Sequence, residues 1–280
     1  GTIFAYGQTG AGKSFSMMGA ESSAQPELAG LIPRATEHIF DIMQNEVRGV
    51  TFSVSVSYLE VYREVIRDLL DPTKTNLRVR ESPQKGVYVD GLTTEFVSSE
   101  EDVLALLKIG DQSRAVASTN MNAVSSRSHS LLIMTVHQNN EEDGSSKAGQ
   151  LNLVDLAGSE KIGKTGAKGD TLEEAKKINQ SLSALSNVIK GLADGKGHVP
   201  YRDSKLTRIL QNSLGGNTKT SLVLAASPHP DNAPETLSTL RFGQRAKTIK
   251  TQVKKNEQRS AEELARLLEK LQKDMAELRG

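Results

Sequence analysis

The strongest constraint on the fold is an eight-residue segment that begins at Gly7, directly after a short apolar run over residues 2–6. It matches the pattern G-x-x-x-x-G-K-[ST], and a helical stretch follows it, which is the context that this pattern requires. Glycines let backbone N–H groups turn toward an anion, and the start of the helix adds a favourable dipole. We therefore predict a phosphate-binding loop, in preference to a merely flexible glycine loop, formed by Gly7, Gln8, Thr9, Gly10, Ala11, Gly12, Lys13 and Ser14.

Two side chains of this loop have predicted roles. Lys13 would reach the β- and γ-phosphates of a nucleotide, and the Ser14 hydroxyl would bind Mg²⁺. A second element starts where the apolar strand at 151–156 ends in Asp155, because an aspartate there lies at the ligand edge of an open α/β sheet. Asp155 would hold the metal through water, and the Gly158 N–H would donate to the γ-phosphate. By itself, this pattern fits a strand that ends in a polar turn equally well.

A third element, residues 122–130, reads Asn-Ala-Val-Ser-Ser-Arg-Ser-His-Ser and precedes an apolar strand at 131–136. Its hydroxyls would reach the γ-phosphate or its metal, and Arg127 would pair with Glu160. Taken in isolation, the segment is better explained as a solvated loop, and His129 as a structural histidine with satisfied hydrogen bonds.

Elsewhere the pattern predicts an α/β fold, because short apolar strands alternate with capped amphipathic helices. We place the strands at 2–6, 50–58, 131–136, 151–156 and 221–226, and helix starts near Ser98, Thr171 and Pro234. The 280 residues carry a net charge of +1, which argues against a basic nucleic-acid binder. The absence of Cys excludes disulfides and thiolate catalysis, and no apolar stretch reaches 18 residues, so no membrane insertion is expected.

Together and in this order, the three elements resemble the kinesin motor domain. GQTGAGKS, NAVSSRSHS and LVDLAGSE match that family's phosphate loop, first switch and second switch, here residues 7–14, 122–130 and 153–160. The segments EAKKINQSLSALSNVI, HVPYRDSKLTRIL and TLRFGQRAKTIK add further matches, so the resemblance covers residues 1 to about 250. It is most similar to conventional transport kinesins. The implied fold is a P-loop NTPase whose central, mostly parallel mixed sheet is flanked by helices and followed by a C-terminal neck helix.

The resemblance implies an ATPase that is stimulated by microtubules and moves along them toward the plus end. Gly7 to Ser14 and Asn122 would bind ATP, with Ser14, Ser126 and, through water, Asp155 at Mg²⁺. The catalytic roles would fall on Ser125 at the attacking water, Gly158 as γ-phosphate sensor, Arg127 as the partner of Glu160, and Glu160 as the group that takes the proton through a relay.

A second implied surface binds the track. Residues 158–212 hold ten basic and six acidic side chains, a net charge of +4, so the remainder carries −3. Charge alone fits an ordinary solvated helix at least as well, but the resemblance places microtubule contacts at Lys161, Lys164, Lys176, Arg202, Lys205 and Arg208. Two positions depart from the family: Gln180 stands where Lys is common, and Lys168 where Glu is common.

The C-terminal part is predicted to contain two further segments. Residues 248–259 would be a neck linker, with Ile249 and Asn256 at docking positions and Lys254 and Lys255 weakening the docking. From the capping box at Ser260 onward, apolar residues alternate at spacings of three and four, the seam of a coiled coil. Residues 260–280 would begin a dimerising neck coil, although a single amphipathic helix packing on residues 1–247, the motor domain, also fits.

By resemblance, about the first quarter of a motor domain is expected to be missing before Gly1. The predicted setting is the cytoplasm, on the microtubule cytoskeleton, with tubulin as partner, a homodimer through the neck coil, and light chains or cargo adaptors bound by absent regions. The alternative is a truncated fragment without ATPase activity that only binds microtubules or dimerises. A P-loop GTPase is disfavoured because the nearest guanine-reading motif, residues 167–170, lacks its Asn. A myosin-like motor would lack the segment HVPYRDSKLTR.

Overall fold

A computed structural model of the chain describes residues 1–20, 26–45, 49–83, 85–118, 124–142, 144–160, 170–251, 253–254 and 256–258. Its helices are α1 (Lys13–Met18), α2 (Leu31–Gln44), α3 (Glu100–Ser118), α4 (Asp170–Ala193), α5 (Lys205–Ile209), α6 (Gln211–Gly215) and α7 (Ala233–Ala246). Its strands are β1 (Thr2–Tyr6), β2 (Val50–Tyr62), β3 (Val65–Asp68), β4 (Arg78–Ser82), β5 (Gly86–Asp90), β6 (Glu95–Val97), β7 (His129–Asn140), β8 (Ser146–Asp155), β9 (Thr220–Leu224) and β10 (Glu257–Gln258).

The central sheet has the strand order β3-β2-β7-β8-β1-β9, with β6 paired to β2 and β10 to β8. The parallel pairs surround the phosphate loop, since β1 lies between β8 and β9 and runs parallel to both. From β8 outward to β3 the neighbours pair antiparallel. Short hairpins join β2 to β3 and β7 to β8, and a connection that short permits only antiparallel pairing. The predicted α/β fold with a mixed sheet flanked by helices is confirmed.

Helices cover both faces of this sheet and create two apolar cores. One core packs α1, α2 and α3 against β2, β7 and β8 and includes Met17, Phe40 and Leu107. The other packs α4, α5, α6 and α7 on the opposite face and includes Leu185, Leu206 and Phe242. The strand predicted at 50–58 extends to Tyr62, and from Val54 onward every residue in it is buried because both faces are covered.

Element boundaries differ from the sequence prediction mainly in the hairpins. The strands predicted at 131–136 and 151–156 extend over polar residues to Asn140 and back to Ser146, because β7 and β8 continue to pair beyond their apolar centres. Helix α2 and strands β3 to β6 had not been predicted. The described part of the chain contains no helix that is both long enough and apolar enough to cross a membrane.

Candidate functional site

The phosphate loop connects β1 to α1, and its glycines are required for two different reasons. A Cβ at Gly7 would lie 2.0 Å from the Ala225 carbonyl oxygen, so the loop can pass β9 only with glycine there. Gly10 and Gly12 have φ angles of 76° and 98°, a left-handed conformation that side chains disfavour. A Cβ at either would meet no atom within 4 Å, so the backbone conformation, and not space, selects glycine at these two positions.

Lys13 begins α1 and is only 6% exposed. Its ammonium donates a hydrogen bond to the Gln8 carbonyl at 2.9 Å, which holds the charge inside the loop. Burial lowers the Lys13 pKa, while the negative charges of Asp155 and Glu160 counteract this and favour the protonated form. The loop therefore presents a cation close to backbone amides, an arrangement that suits a polyanion.

Ser14 and Asp155 place oxygen atoms side by side next to the phosphate loop. The Ser14 hydroxyl donates to Asp155 Oδ2 at 2.6 Å. Asp155 is buried, and its Oδ1 has no hydrogen-bond partner among the described residues. Burial raises the Asp155 pKa, opposed by the Ser14 hydrogen bond and by the charges of Arg114 and Lys13. A hydroxyl beside a carboxylate with a spare buried oxygen fits Mg²⁺, which prefers such oxygen ligands.

The second switch is tied to the phosphate loop by three hydrogen bonds. The Ser159 N–H donates to the Gly7 carbonyl at 3.1 Å. Glu160 accepts from the Thr9 N–H at 2.8 Å and from the Thr9 hydroxyl at 2.6 Å. A Cβ at Gly158 would lie 2.3 Å from both the Thr9 hydroxyl oxygen and a Glu160 carboxylate oxygen, so this contact requires glycine. Glu160 thus has a fixed position beside the phosphate loop.

The first switch meets the second through the backbone. The Gly158 N–H donates to the Ser126 carbonyl at 2.9 Å, and a short 3₁₀ turn, Val124–Arg127, leads from there into β7. The structure thus brings Ser126, Gly158 and the phosphate loop close together. Pairing of Arg127 with Glu160 stays a prediction, and Glu160 is held by Thr9 instead in the contacts described above.

His129 connects the second switch to α4. Its Nδ1 accepts a hydrogen bond from the Ala157 N–H at 3.0 Å, and its Nε2 lies 2.8 Å from the Ser181 hydroxyl. Since Nδ1 is an acceptor, Nε2 carries the proton and donates to Ser181, which in turn donates to the Ile178 carbonyl at 2.7 Å. Burial lowers the His129 pKa to about 3, and the charges of Lys13 and Arg114 contribute to the shift. The interpretation of His129 as a satisfied structural histidine agrees with these contacts, although it did not identify the two elements that the ring joins.

A buried ion pair supports the first switch from behind and had been missed. Glu60 on β2 is 1% exposed, and Arg114 on α3 places its Nε 3.4 Å from a Glu60 carboxylate oxygen. Arg114 also donates to the Ser128 hydroxyl at 3.2 Å. The available signal was Glu60 itself, a charged residue inside an otherwise apolar stretch of strand, which requires a buried partner.

Comparison with known proteins identifies the family. A family model described as the kinesin motor domain matches residues 1–249. The chain belongs to the kinesin motor domain family. It is 58% identical over 273 residues to a kinesin heavy chain of Botryotinia fuckeliana, covering 97% of this chain and 31% of that protein. It is 54% identical over 282 residues to kinesin-related protein 3 of Dictyostelium discoideum, covering all of this chain and 24% of that one.

A solved structure of a fast kinesin has the same fold. The two share 59% sequence identity and superpose with a TM-score of 0.87, over 92% of this chain and 73% of the other. The chain spans about a quarter to a third of the length of these two curated kinesins.

Three of the predicted track contacts of this kinesin domain lie on or just before α5. Arg202 is exposed, whereas Lys205 and Arg208 are half-buried. Lys205 Nζ donates to the Asn76 side chain at 3.3 Å, and Arg208 contacts Glu81 and Gln211. The three basic residues are thus gathered on one short segment, but Arg208 is already paired within the chain.

The start of α5 is fixed by a residue that sequence reasoning missed. The Glu64 carboxylate, in the β2–β3 hairpin, accepts from the Ser204 hydroxyl at 2.6 Å and from the Lys205 N–H at 2.7 Å. Ser204 in turn caps the helix by accepting from the Leu206 N–H at 3.1 Å. Ser204 was readable as a cap, but Glu64 lies 140 residues away and carried no local signal.

The segment after α7 contacts the sheet at the predicted docking positions. Ile249 packs against the apolar core beside α7. The Asn256 side chain donates to the Ala148 carbonyl at 3.3 Å and accepts from the Asn217 amide at 2.8 Å. Strand β10 then pairs antiparallel with the start of β8. The boundaries predicted for the motor domain and neck linker, 1–247 and 248–259, stay predictions.

Several predicted site residues lie outside this description. Asn122, Lys161 and Lys164 fall outside the described residues, as does the predicted coil at 260–280. For Ser125 and Lys176 the structure describes the backbone, in the 3₁₀ turn and in α4. The roles assigned to these residues stay predictions.

Proposed function

We propose that this kinesin domain hydrolyses ATP and uses the energy to move along microtubules. The observation that carries the proposal is that the three elements lie together at one site. The phosphate loop contacts the second switch twice, through the hydrogen bond of Ser14 with Asp155 and through those of Thr9 with Glu160. In phosphoryl transfer, catalysis is mainly positioning and charge neutralisation. Lys13, the loop amides and the fixed Glu160 carboxylate are groups that perform these tasks.

ATP, as the nucleotide that is hydrolysed, and Mg²⁺, as its metal, are the ligands that these residues suit. Backbone amides of Gly7 to Ser14 and the Lys13 ammonium would hold the phosphates, and Ser14, Ser126 and Asp155 would hold the metal, Asp155 through water. The metal would neutralise charge that develops on the phosphates. Gly158 would sense the γ-phosphate, exchanging its present acceptor, the Ser126 carbonyl, for a phosphate oxygen. Ser125 would order the attacking water, and Arg127 would hold Glu160 as the proton acceptor of the relay.

The acidic surface of the microtubule is the partner proposed for the basic segment. Arg202, Lys205 and Arg208, together with Lys161, Lys164 and Lys176, would form the contact. This basic surface is connected to α4, because α4 packs against both α5 and the 3₁₀ turn Tyr201–Asp203 that precedes α5. Motion of α4 would therefore reach this surface directly.

The proposal has four further parts. The motor would move toward the plus end, and it would dimerise through a neck coil at 260–280. It would bind light chains or cargo adaptors, and it would be located in the cytoplasm on microtubules. These parts rest on the resemblance to conventional kinesins and on the order of motor domain and neck. The docked contacts of Ile249 and Asn256 support a neck linker at 248–259.

The deciding experiment is steady-state ATP hydrolysis by the full chain, with and without microtubules, beside Lys13→Ala. We expect hydrolysis that rises with microtubule concentration, and loss of nucleotide binding in Lys13→Ala because the loop loses its cation. A chain that co-sediments with microtubules yet never hydrolyses ATP would instead support the binding-only alternative.

A further inference from the structure

The proposed nucleotide site and helix α4 are joined by a short line of buried hydrogen bonds. Ala157 immediately precedes Gly158, the proposed phosphate sensor. Its N–H donates to His129, which donates to Ser181 in the middle of α4. Both side chains are 3% exposed, so no competing water reaches them from bulk solvent.

Each contact in this line has one direction only. The Ala157 N–H can only donate, which makes His129 Nδ1 an acceptor and leaves the proton on Nε2. The Ser181 hydroxyl oxygen accepts a hydrogen bond from His129 Nε2, and its O–H donates to the Ile178 carbonyl, one turn back in α4. A fully directed chain of this kind has no alternative arrangement with the same number of hydrogen bonds, so a shift of Ala157 must move α4 or break a bond.

Burial makes breaking the bond unfavourable. A buried donor or acceptor that loses its partner is not compensated by a hydrogen bond to water. Here neither the Ala157 N–H nor the Ser181 hydroxyl can turn to solvent. The neutral imidazole, whose pKa is lowered by burial, also keeps a single tautomer over the physiological range. The line therefore forms a stiff connection between the segment that carries Gly158 and helix α4.

We propose that His129 and Ser181 are a positioning pair that couples the position of Gly158 to the position of α4, and through it to microtubule affinity. This inference deepens the proposed function and rests on it. The occupant of the phosphate site would set where Ala157 lies, and the pair would transfer that position to α4, which packs against the Arg202 and Lys205 segment.

The chain offers variants that remove one contact at a time. Ser181→Ala deletes the α4 contact alone. His129→Asn keeps an acceptor oxygen where Nδ1 lies but cannot reach Ser181, while His129→Gln places an amide near Nε2 without the Ala157 contact. Ser213→Ala is the matched control, because Ser213 is another buried serine, 1% exposed, whose hydroxyl accepts a hydrogen bond from Thr2 on β1.

The first measurement is the ratio of microtubule Kd with ADP to that with a non-hydrolysable ATP analogue. We expect this ratio to fall about tenfold in Ser181→Ala and His129→Asn. A tenfold change corresponds to the free energy that one buried hydrogen bond would contribute to the coupling between the two sites. Ser213→Ala should keep the ratio. Combining His129→Asn with Ser181→Ala should cost no more than either alone, because both break the same line.

A second measurement needs no microtubules. Amide hydrogen exchange across α4 is compared between ADP and the analogue, and we expect a nucleotide-dependent difference that disappears in Ser181→Ala. If the unmutated chain fails to bind microtubules, the proposed function fails, and this exchange result still decides the coupling. An unchanged nucleotide dependence of α4 exchange in Ser181→Ala would overturn the positioning pair.

Discussion

At the scale of single residues, the contacts of Glu160 separate a role in catalysis from a role in nucleotide binding. Two hydrogen bonds from Thr9 fix the carboxylate near the phosphate loop, and Gly158 leaves just enough space for it. Lys13, whose ammonium donates to the Gln8 carbonyl, supplies positive charge to the loop. A residue in this position can order a water without contributing to nucleotide affinity.

Glu160→Ala should therefore retain nucleotide binding and lose turnover. We expect nucleotide Kd to change by no more than a few-fold, and single-turnover hydrolysis to fall by about 10² to 10⁴, the range for removal of a general base. Glu142→Ala, an exposed glutamate in the β7–β8 hairpin, is the control for charge removal. Single-turnover hydrolysis at the unmutated rate would contradict the role of Glu160.

His129 gives a prediction for pH. Its folded-state pKa, about 3, lies below the 6.5 of a free imidazole, so the unfolded chain takes up the proton first. The group's contribution to stability is complete above pH 6.5 or so and is lost as the pH falls toward 3. Between pH 7.5 and pH 5, this one group should lower the free energy of unfolding by about 2 kcal/mol.

Urea unfolding at these two pH values tests the prediction. His129→Asn should show a smaller decrease than the unmutated chain, by about that amount, since its side chain does not titrate. His137→Asn replaces an exposed histidine on the same strand and should leave the decrease unchanged. Equal pH dependence in all three proteins would show that His129 is not held neutral.

At the scale of elements, sequence patterns located the apolar centres of strands better than their ends. The phosphate loop was predictable because its spacing encodes chemistry locally, from Gly7 to Ser14. The β2–β3 hairpin was not predictable, because its turn residues Arg63 and Glu64 adopt left-handed φ angles of 53° and 63°. Such angles are usually found at glycine, so these two residue types do not indicate a turn. Glu64 is held there by contacts with Ser204 and Lys205, and such distant contacts leave no local pattern.

Glu64 should be needed for the position of α5. Glu64→Ala removes both hydrogen bonds at the start of this helix, and we expect a loss of about 1–3 kcal/mol in the free energy of unfolding. Hydrogen exchange at the Lys205 amide should rise in parallel. Glu64→Gln keeps one acceptor and should lose less, whereas Glu141→Ala, at an exposed glutamate, should be close to neutral. Unchanged exchange at Lys205 would show that α5 is capped without Glu64.

At the scale of the whole molecule, charge is separated although the total is close to zero. The net charge of +4 on residues 158–212 is offset by negative charge in the rest of the chain. Part of this negative charge is Glu81, which pairs with Arg208. This pairing was invisible in the sequence, because composition counts a charge without showing whether a neighbour already neutralises it. Arg202, which is exposed, is a freer contact for an acidic track than Arg208.

Reversing the charges of Arg202 and Lys205 to Glu should weaken microtubule binding by about tenfold or more at low salt, with less effect as salt screens the surface. Lys108→Glu makes one such reversal on α3, whose Leu107 packs in the core on the opposite face of the sheet, and should have little effect. Co-sedimentation at several salt concentrations measures the difference. Equal weakening by Lys108→Glu would mean that net charge, and not this surface, governs binding.

The central position of β1 has a consequence for how the molecule is made. Thr2 pairs with Asn152 in β8 on one side and with Thr220 in β9 on the other. The strand that carries the phosphate loop leaves the ribosome long before either partner, and contacts so distant along the chain form slowly. The apolar residues of β1 therefore have no partner strand until β8 has been synthesised, and such unpaired apolar segments favour aggregation while the chain is incomplete.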